Sequence, residues 1–460
     1  MEERNYDVLI VGGGVAGATM AAYLGNHGIK TAVIEKSLAE QDRIVGELLQ
    51  PGGVQQLRQM GLMHLLEGFD AQPVEGYALF LDGNNFKVGY PKKGNATLTG
   101  RGFRNGKFVQ KIREYILQLP SVTVIEGTVN ELLESDDTIM GVRYTAKADK
   151  EVYELRAPIT VVCDGAYSLF RTQLSSSERK VSGHFLGLVL KNANLPYHNH
   201  GHVIIANPAP VLVYPISSTE TRVLIDFPGE EAPRKSEELI AYLNDVVGPQ
   251  IPDAIKPSYF AAVTEGKFKV MPNHYMPAKP LAKQGAALVG DALNMRHPLT
   301  GGGMTVAFTD LHLLADKLIA LEDFSDSDAV TEAVKQYYEE RTDYNATINI
   351  LADALYRVMR SPDLKQACYD YLKQGGDHAD GPISILSAVS RDSNVLLKHF
   401  FSVAMFGAKN IIGYYPTITK TTRSYKMMKD AAQIISPLVI NENLGIMTSS
   451  AFKAAGVVFK

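Results

Sequence analysis

Three glycine-bearing segments carry residue types and spacings suited to binding a dinucleotide. In Gly12-Gly13-Gly14-Val15-Ala16-Gly17 the G-x-G-x-x-G spacing allows a tight turn and lets backbone N–H groups and a helix N-terminus approach a pyrophosphate. Glu35 stands 18 residues after Gly17, at the end of a second apolar run, where a carboxylate can accept hydrogen bonds from both hydroxyls of an adenosine ribose. The same charge repels a 2′-phosphate, which disfavours NADPH there. The second segment, Val161-Val162-Cys163-Asp164-Gly165-Ala166-Tyr167-Ser168, ends an apolar strand in D-G-x-x-S. An Asp-Gly turn is common alone; it gains meaning beside the other two. The third is Gly290-Asp291-Ala292, followed by Asn294-Met295-Arg296-His297-Pro298-Leu299-Thr300-Gly301-Gly302-Gly303-Met304. Glycines opening a helix aim N–H groups at whatever anion lies in front of them.

The elements that must position these segments follow from pattern. Asp7–Val11 reads as a strand, Val15–Leu24 as an alanine-rich helix and Thr31–Ile34 as a strand, the opening β-α-β of a dinucleotide-binding sheet. Short alternating runs at 76–89 and 183–228, such as Val211-Leu212-Val213-Tyr214, predict an inserted β-rich domain. The first domain resumes at Ala286–Gly290 with a helix over 305–321, and after about Glu332 the chain reads as helical, with boundaries near Pro362, Pro382, Pro416 and Pro437. The expected organisation is an α/β Rossmann-type dinucleotide-binding domain (5–36, 110–157 and 283–344), an inserted β-rich domain for a substrate (37–109 and 158–282) and a C-terminal helical region (345–460).

Composition narrows the classes. At 460 residues the chain exceeds one ordinary core. A hydrophobic fraction of 45% with 21% charge describes a globular protein. The net charge of −4 argues against a nucleic-acid partner. Two cysteines, Cys163 and Cys368, make no disulfide framework or metal-ligand spacing, so no metal is expected and a reducing compartment fits. The polar start Met1–Tyr6 has no secretion-signal pattern. No stretch reaches ~18 uninterrupted apolar residues, so any membrane contact is expected from one face.

Together the three segments resemble the pattern of class A flavin monooxygenases, whose sheet is of the GR2-like type. Further strings resemble squalene epoxidases: Arg43-Ile44-Val45-Gly46-Glu47-Leu48-Leu49-Gln50-Pro51-Gly52-Gly53, Glu75-Gly76-Tyr77, Ile204 with Ala206-Asn207-Pro208, 211–214, 294–304 and His399-Phe400-Phe401. The resemblance covers nearly the whole chain. The hydrophobic extension that many eukaryotic members carry before the first strand is one point of departure.

That resemblance implies FAD as cofactor, contacted by Gly12, Gly14, Val15, Ala16, Gly17, Glu35, Lys36, Arg43, Arg113, Val129, Asp164, Asp291, Gly302, Gly303 and Met304. Tyr77 matches the family's active-site tyrosine and Gln50 the glutamine between it and the flavin. The implied reaction is oxygen transfer from a flavin C4a-hydroperoxide to the 2,3 double bond of squalene. A hydrocarbon needs a long apolar pocket, and Tyr77, Leu79, Leu212, Tyr214, Pro298, Leu299 and Phe400 are expected to face it. Arg296 and His297 are expected to hold their loop rather than act as acid or base. Because no second dinucleotide fingerprint is present, electrons are expected from a separate NADPH-dependent flavoprotein reductase of the NADPH-cytochrome P450 reductase type. Apolar runs at 395–415 and 434–440, with Lys420, Arg423, Lys426 and Lys429 between them, suit a membrane surface. In a eukaryote this would be the cytosolic face of the endoplasmic reticulum. Three other readings stay open on residues alone: a flavin hydroxylase of a quinone or prenylated aromatic, a geranylgeranyl reductase, and a prenyl-binding carrier without flavin.

Overall fold

The computed structural model describes residues 6–414 and 416–442; the remainder of the expected C-terminal region, 443–460, lies outside the described residues. Two seven-stranded sheets organise the chain. In the first, Val8–Val11 lies between Thr31–Glu35 and Ile159–Val162, all parallel, with Ala286–Leu288 beyond and Val122–Ser135, Thr138–Ala146 and Val152–Arg156 on the other side. The central strands are buried along their whole length, as runs covered on both faces must be. Helices α1 (Val15–Asn26), α2 (Pro51–Gln59) and α3 (Asn105–Ile116) and the single turn α4 (Arg171–Leu174) supply that cover and the loops around it.

The second sheet is the inserted β-rich domain. Its strands run Lys269–Tyr275, Lys180–Lys191, Glu220–Pro228, Val211–Pro215, His200–Ile204, Gly76–Leu81 and Asn84–Gly89. Successive side chains of a strand point to opposite faces, and here each face has its own core. Ala78 and Phe80 pack with Leu186, Val213 and the helices α5 (Glu237–Tyr242) and α6 (Lys256–Glu265). Tyr77, Leu79 and Leu81 face the other way, toward the C-terminal helices.

Helix α7 (Gly303–Ile319) closes the first domain. After it come α8 (Ser327–Met359), α9 (Pro362–Lys373), α10 (Asp377–Leu386), α11 (Ser393–Ile412) and α12 (Ile418–Asn441). Side-chain caps start several of them: Asp326 accepts from the N–H groups of Asp328 and Ala329, Asp392 from Asn394, and Thr417 from Lys420.

Several expected boundaries are corrected. Strand Ile159–Val162 belongs to the first sheet, not to the inserted domain that was to begin at 158, because it pairs in register with Val8–Val11. The cuts at 109/110 and 344/345 fall inside α3 and α8, which run unbroken. Pro362 opens α9 and Pro416 precedes α12, but Pro382 and Pro437 sit inside helices. Buried neighbours on the same helices, Ile383 and Ile385 in one and Ile435 and Leu438 in the other, compensate the hydrogen bond each proline forfeits. Finally, α11 is, by length and composition, long and apolar enough to cross a membrane, at 20 residues and mean hydropathy 1.3. Lys398 and Lys409 interrupt the run without lowering that mean enough, so run length does not restrict contact to one face.

One buried ion pair ties the two halves of the helical part. Arg341 on α8 donates to both carboxylate oxygens of Asp310 on α7, at 2.9 and 3.1 Å, and Asn345 adds a third bond at 2.6 Å. Removing the cation would leave a buried, uncompensated carboxylate. Arg341→Ala is therefore expected to cost about 3–5 kcal/mol of stability, read as a lower urea midpoint with unchanged slope.

Candidate active site

The first cradle is local chemistry. Gly12 has φ +97°, and a side chain there would meet the Cys163 carbonyl. A Cβ on Gly17 would come within 1.9 Å of the Gly12 carbonyl, so α1 can approach the turn only with glycine there. At Gly14, by contrast, nothing lies within 4 Å of where a Cβ would be. That open space faces the first turn of α1, which no side chain caps, leaving its N–H groups for an anion.

Glu35 is buried beside this turn. Its carboxylate accepts from the Gly13 N–H at 2.7 Å and the Ser37 N–H at 3.1 Å. Two oxygens offer about four acceptor positions, so room remains for ribose hydroxyls. Arg113 lies 3.5 Å from the same carboxylate and donates to the carbonyls of Gly13, at 2.8 Å, and Ser37, at 3.1 Å. It braces the glycine turn from behind rather than lining the cleft, as the family pattern had implied. Val129 likewise packs in the core of the first sheet, Gly17 lies against the Gly12 carbonyl, and Gly302 lies against Ile348 of α8.

The cleft continues between the sheets. Gly12, Gly14, Val15, Ala16, Glu35, Lys36, Arg43, Asp164, Asp291, Gly303 and Met304 line it. Asp164 receives the Leu169 N–H at 3.0 Å on one oxygen, while its other oxygen is buried without a partner. Burial raises its pKa. Arg171 on α4, which sequence reasoning missed, clamps the two Asp-bearing loops together. It donates to the carbonyls of Gly165, Ala166, Asp291 and Ala292 at 2.9–3.1 Å. Opposite them, Glu47 pairs with Arg222 at 2.6 and 3.0 Å, fastening the 43–50 loop to the second sheet. His274, also missed, lines the cleft with both ring nitrogens unpartnered.

Beyond this polar cleft the lining changes. Tyr77, Leu79 and Val203 of the second sheet and side chains of α8, α9, α10 and α11, Phe400 among them, enclose a cavity whose other polar members, among the described residues, are Cys368 and His399. The seven residues expected in one pocket are therefore divided. Tyr77, Leu79 and Phe400 face the apolar cavity, whereas Leu212, Tyr214, Pro298 and Leu299 face the cleft.

Gln50 stands between the two spaces and lines neither. Fully buried at the N-cap of α2, it donates to the Tyr77 hydroxyl at 2.5 Å and to the Thr300 carbonyl at 2.7 Å, and accepts from Tyr90 at 2.8 Å. Gly301, with φ +63°, lies so close that a Cβ there would be 3.2 Å from the Gln50 nitrogen. Gly301 in turn lines the cleft. Burial raises the pKa of Tyr77, which keeps its hydroxyl protonated. His297 has the structural role expected of it: its ring is buried, accepts the Leu299 N–H at 3.3 Å and stacks on Tyr356 at 3.7 Å, and burial pushes its pKa down to about 3. Arg296 holds the Asn294 carbonyl and side chain at 2.9 and 2.7 Å.

The donor set fits FAD. An open glycine cradle at an uncapped helix start, a ribose-side carboxylate, an unpartnered Asp164 oxygen and the uncapped N-terminus of α7 at Gly303 lie along one continuous cleft. The fold is shared with solved flavin enzymes. PqsL of Pseudomonas aeruginosa superposes with a TM-score of 0.67 at 23% identity, covering 80% of this chain and 100% of PqsL. p-Nitrophenol 4-monooxygenase PnpA of Pseudomonas putida does so at 0.67 and 20%, covering 86% and 97%. These likenesses define the class, the FAD-dependent monooxygenase fold.

Sequence comparison then gives the family. The family model described as squalene epoxidase matches residues 156–425, and one described as glucose inhibited division protein A matches 7–184. Squalene monooxygenase SE2 of Panax ginseng is 45% identical over 95% of this chain and 82% of its own length. The Mus musculus squalene monooxygenase is 39% identical over 95% and 78%, and Schizosaccharomyces pombe squalene epoxidase erg1 38% over 96% and 99%. The chain belongs to the squalene epoxidase family.

A buried acid beside the site makes stability depend on pH. Asp226 lies on the second sheet against Asn273 and His297, and burial pushes its pKa from 3.8 up to about 7, although Arg360 opposes the shift. Between those values the folded state holds a proton that the unfolded state has released. Stability contributed by this group is therefore present near pH 4 and lost as pH rises through 7. Asp226→Asn should flatten the decline between pH 5 and 8, measured as urea midpoints across that range.

Proposed function

We propose that the protein inserts one oxygen atom of O2 into the terminal 2,3 double bond of squalene, giving (S)-2,3-oxidosqualene. Two electrons and two protons reduce the other oxygen atom to water. The observation that carries this reading is the apolar, helix-lined cavity whose wall residue Tyr77 is tied through Gln50 to the Thr300–Gly301 loop of the FAD cleft. FAD, when bound, supplies the two-electron activation of O2. Gly12, Gly14, Glu35, Lys36, Arg43, Asp164, Asp291, Gly303 and Met304 are the residues that would hold it.

The chain's own part is binding, orientation and dryness. Squalene has no hydrogen-bonding group, so its affinity comes from transferring apolar surface out of water, about 25 cal/mol per Å². Side chains such as Leu355, Met359, Leu386 and Phe400 provide that surface and leave water few partners. Tyr77 stands at the cavity wall with a neutral hydroxyl that can donate to oxygen as it is transferred or to the epoxide formed. Its partner Gln50 holds it toward Thr300 and the cleft. Specificity for a long hydrocarbon rests on length and shape, because an apolar pocket discriminates single methylenes weakly. A quinone or prenylated aromatic would bring polar oxygens into a lining that has almost no partner for them.

Electrons come, in this reading, from a separate NADPH-dependent flavoprotein reductase, since the chain has one dinucleotide fingerprint and Glu35 repels a 2′-phosphate. The helical face carries the membrane contact. Tyr414, Ile418 and Tyr425 are 99, 88 and 71% exposed. Lys426 and Lys429 lie on the same α12 helix as Ile418 and Tyr425, where they can meet anionic headgroups. Because α11 also buries Leu396, Leu397, Ala404 and Gly407 in the helical bundle, the contact is made from one face. In a eukaryote that face belongs to the endoplasmic reticulum.

An assay with squalene, O2, FAD, NADPH and a generic NADPH-flavoprotein reductase should yield oxidosqualene. Tyr77→Phe should retain flavin and lower kcat at least about tenfold; no epoxide from the unaltered protein would remove the reading. For the membrane contact, Ile418→Glu with Tyr425→Glu should reduce co-sedimentation with mixed zwitterionic and anionic phospholipid vesicles. Unchanged binding would move the attachment elsewhere.

A further inference from the structure

Gln50 matters through the orientation of its carboxamide. Its nitrogen donates to Tyr77 and to the Thr300 carbonyl. A carbonyl can only accept, so a rotated carboxamide would set oxygen against oxygen at Thr300. The working orientation therefore sends the Gln50 oxygen the other way, into a fully buried position where an unpaired acceptor is unfavourable. The donor that meets it is Tyr90, at 2.8 Å.

Tyr90 is well held for that task. It directly follows the hairpin formed by Gly76–Leu81 and Asn84–Gly89, and its N–H donates to the Glu75 carbonyl at 2.7 Å. Its ring is 3% exposed and stands perpendicular to the Tyr77 ring, 5.4 Å away. Burial raises the pKa of its hydroxyl well above the ordinary value, so the group remains a donor. Tyr90 lines neither the apolar cavity nor the cleft. Its hydroxyl lies near that of Tyr77 but spends its proton on Gln50, so it is placed to act through Gln50 and not on the hydrocarbon or the cofactor.

We propose that Tyr90 is a positioning residue that holds the Gln50 carboxamide in the one orientation that donates to Tyr77. Its effect on turnover rests on the epoxidation reading; the contact itself does not.

The test is a double-mutant cycle on the FAD-loaded full chain with Tyr90→Phe, Gln50→Ala and the pair. Tyr90→Phe should keep its flavin spectrum, lower kcat about tenfold and leave KM for squalene within about twofold. In the Gln50→Ala background, adding Tyr90→Phe should lower kcat no further. Melting temperatures give a readout independent of turnover: the loss caused by Tyr90→Phe should vanish once Gln50 is alanine. Multiplicative losses in kcat, or a raised KM with unchanged kcat, would overturn the positioning role. Coupled melting with independent kcat effects would confine the contact to folding and also overturn it. If the unaltered protein makes no epoxide, the proposed activity falls, and the melting cycle still decides whether Tyr90 and Gln50 are coupled.

Discussion

The two spaces of this protein have opposite solvation demands, and one buried carboxamide separates them. A dinucleotide cleft must present backbone N–H groups and carboxylates, whereas a hydrocarbon pocket must present nothing that holds water. Gln50 meets both demands by spending its polar groups internally, on Tyr77, Tyr90 and the Thr300 carbonyl. Those three partners come from the inserted sheet, the residue just past its hairpin and the glycine-rich loop before α7. The geometry of the junction thus depends on the docking of the inserted sheet against the first domain.

Strand alternation makes this docking possible. On Gly76–Leu81 the even step sends Ala78 and Phe80 into the core under α5 and α6, and the odd step sends Tyr77, Leu79 and Leu81 toward the C-terminal helices. A shift of one residue in register would exchange the two sets and remove Tyr77 from the cavity. The buried Glu47–Arg222 pair guards the neighbouring register. It fixes the 43–50 loop, and hence Gln50, to the strand Glu220–Pro228. An ion pair so placed adds little net stability against an apolar substitute but tolerates no misalignment.

What could be read from the residues follows from how local their constraints are. Gly12, Gly17, Glu35 and Asp291 were legible because a tight turn, a close helix approach and a strand-end carboxylate are requirements of neighbouring backbone. The brace formed by Arg113 and the clamp formed by Arg171 were not legible, since the carbonyls they bind lie as far as 100 and 121 residues away in sequence and an arginine by itself reads as surface charge. Tyr90 was invisible for the same reason. Leu212 and Tyr214 were recognised as apolar strand residues, but only the packed sheet assigns them to the cleft instead of the cavity. The strand Ile159–Val162 was placed in the wrong domain because a four-residue apolar run carries no mark of the sheet it joins.

The central claim is that the helix-lined cavity holds the substrate with one end at Tyr77, on the side of the FAD cleft. The most direct measurement is an experimental structure of the FAD-loaded protein with squalane, the saturated analogue that cannot react. The account predicts continuous density for the chain among α8, α9, α10 and α11, with one terminus against Tyr77 and Gln50. Density confined to the outer surface of α11 and α12, or absent from the cavity at saturating squalane, would contradict it.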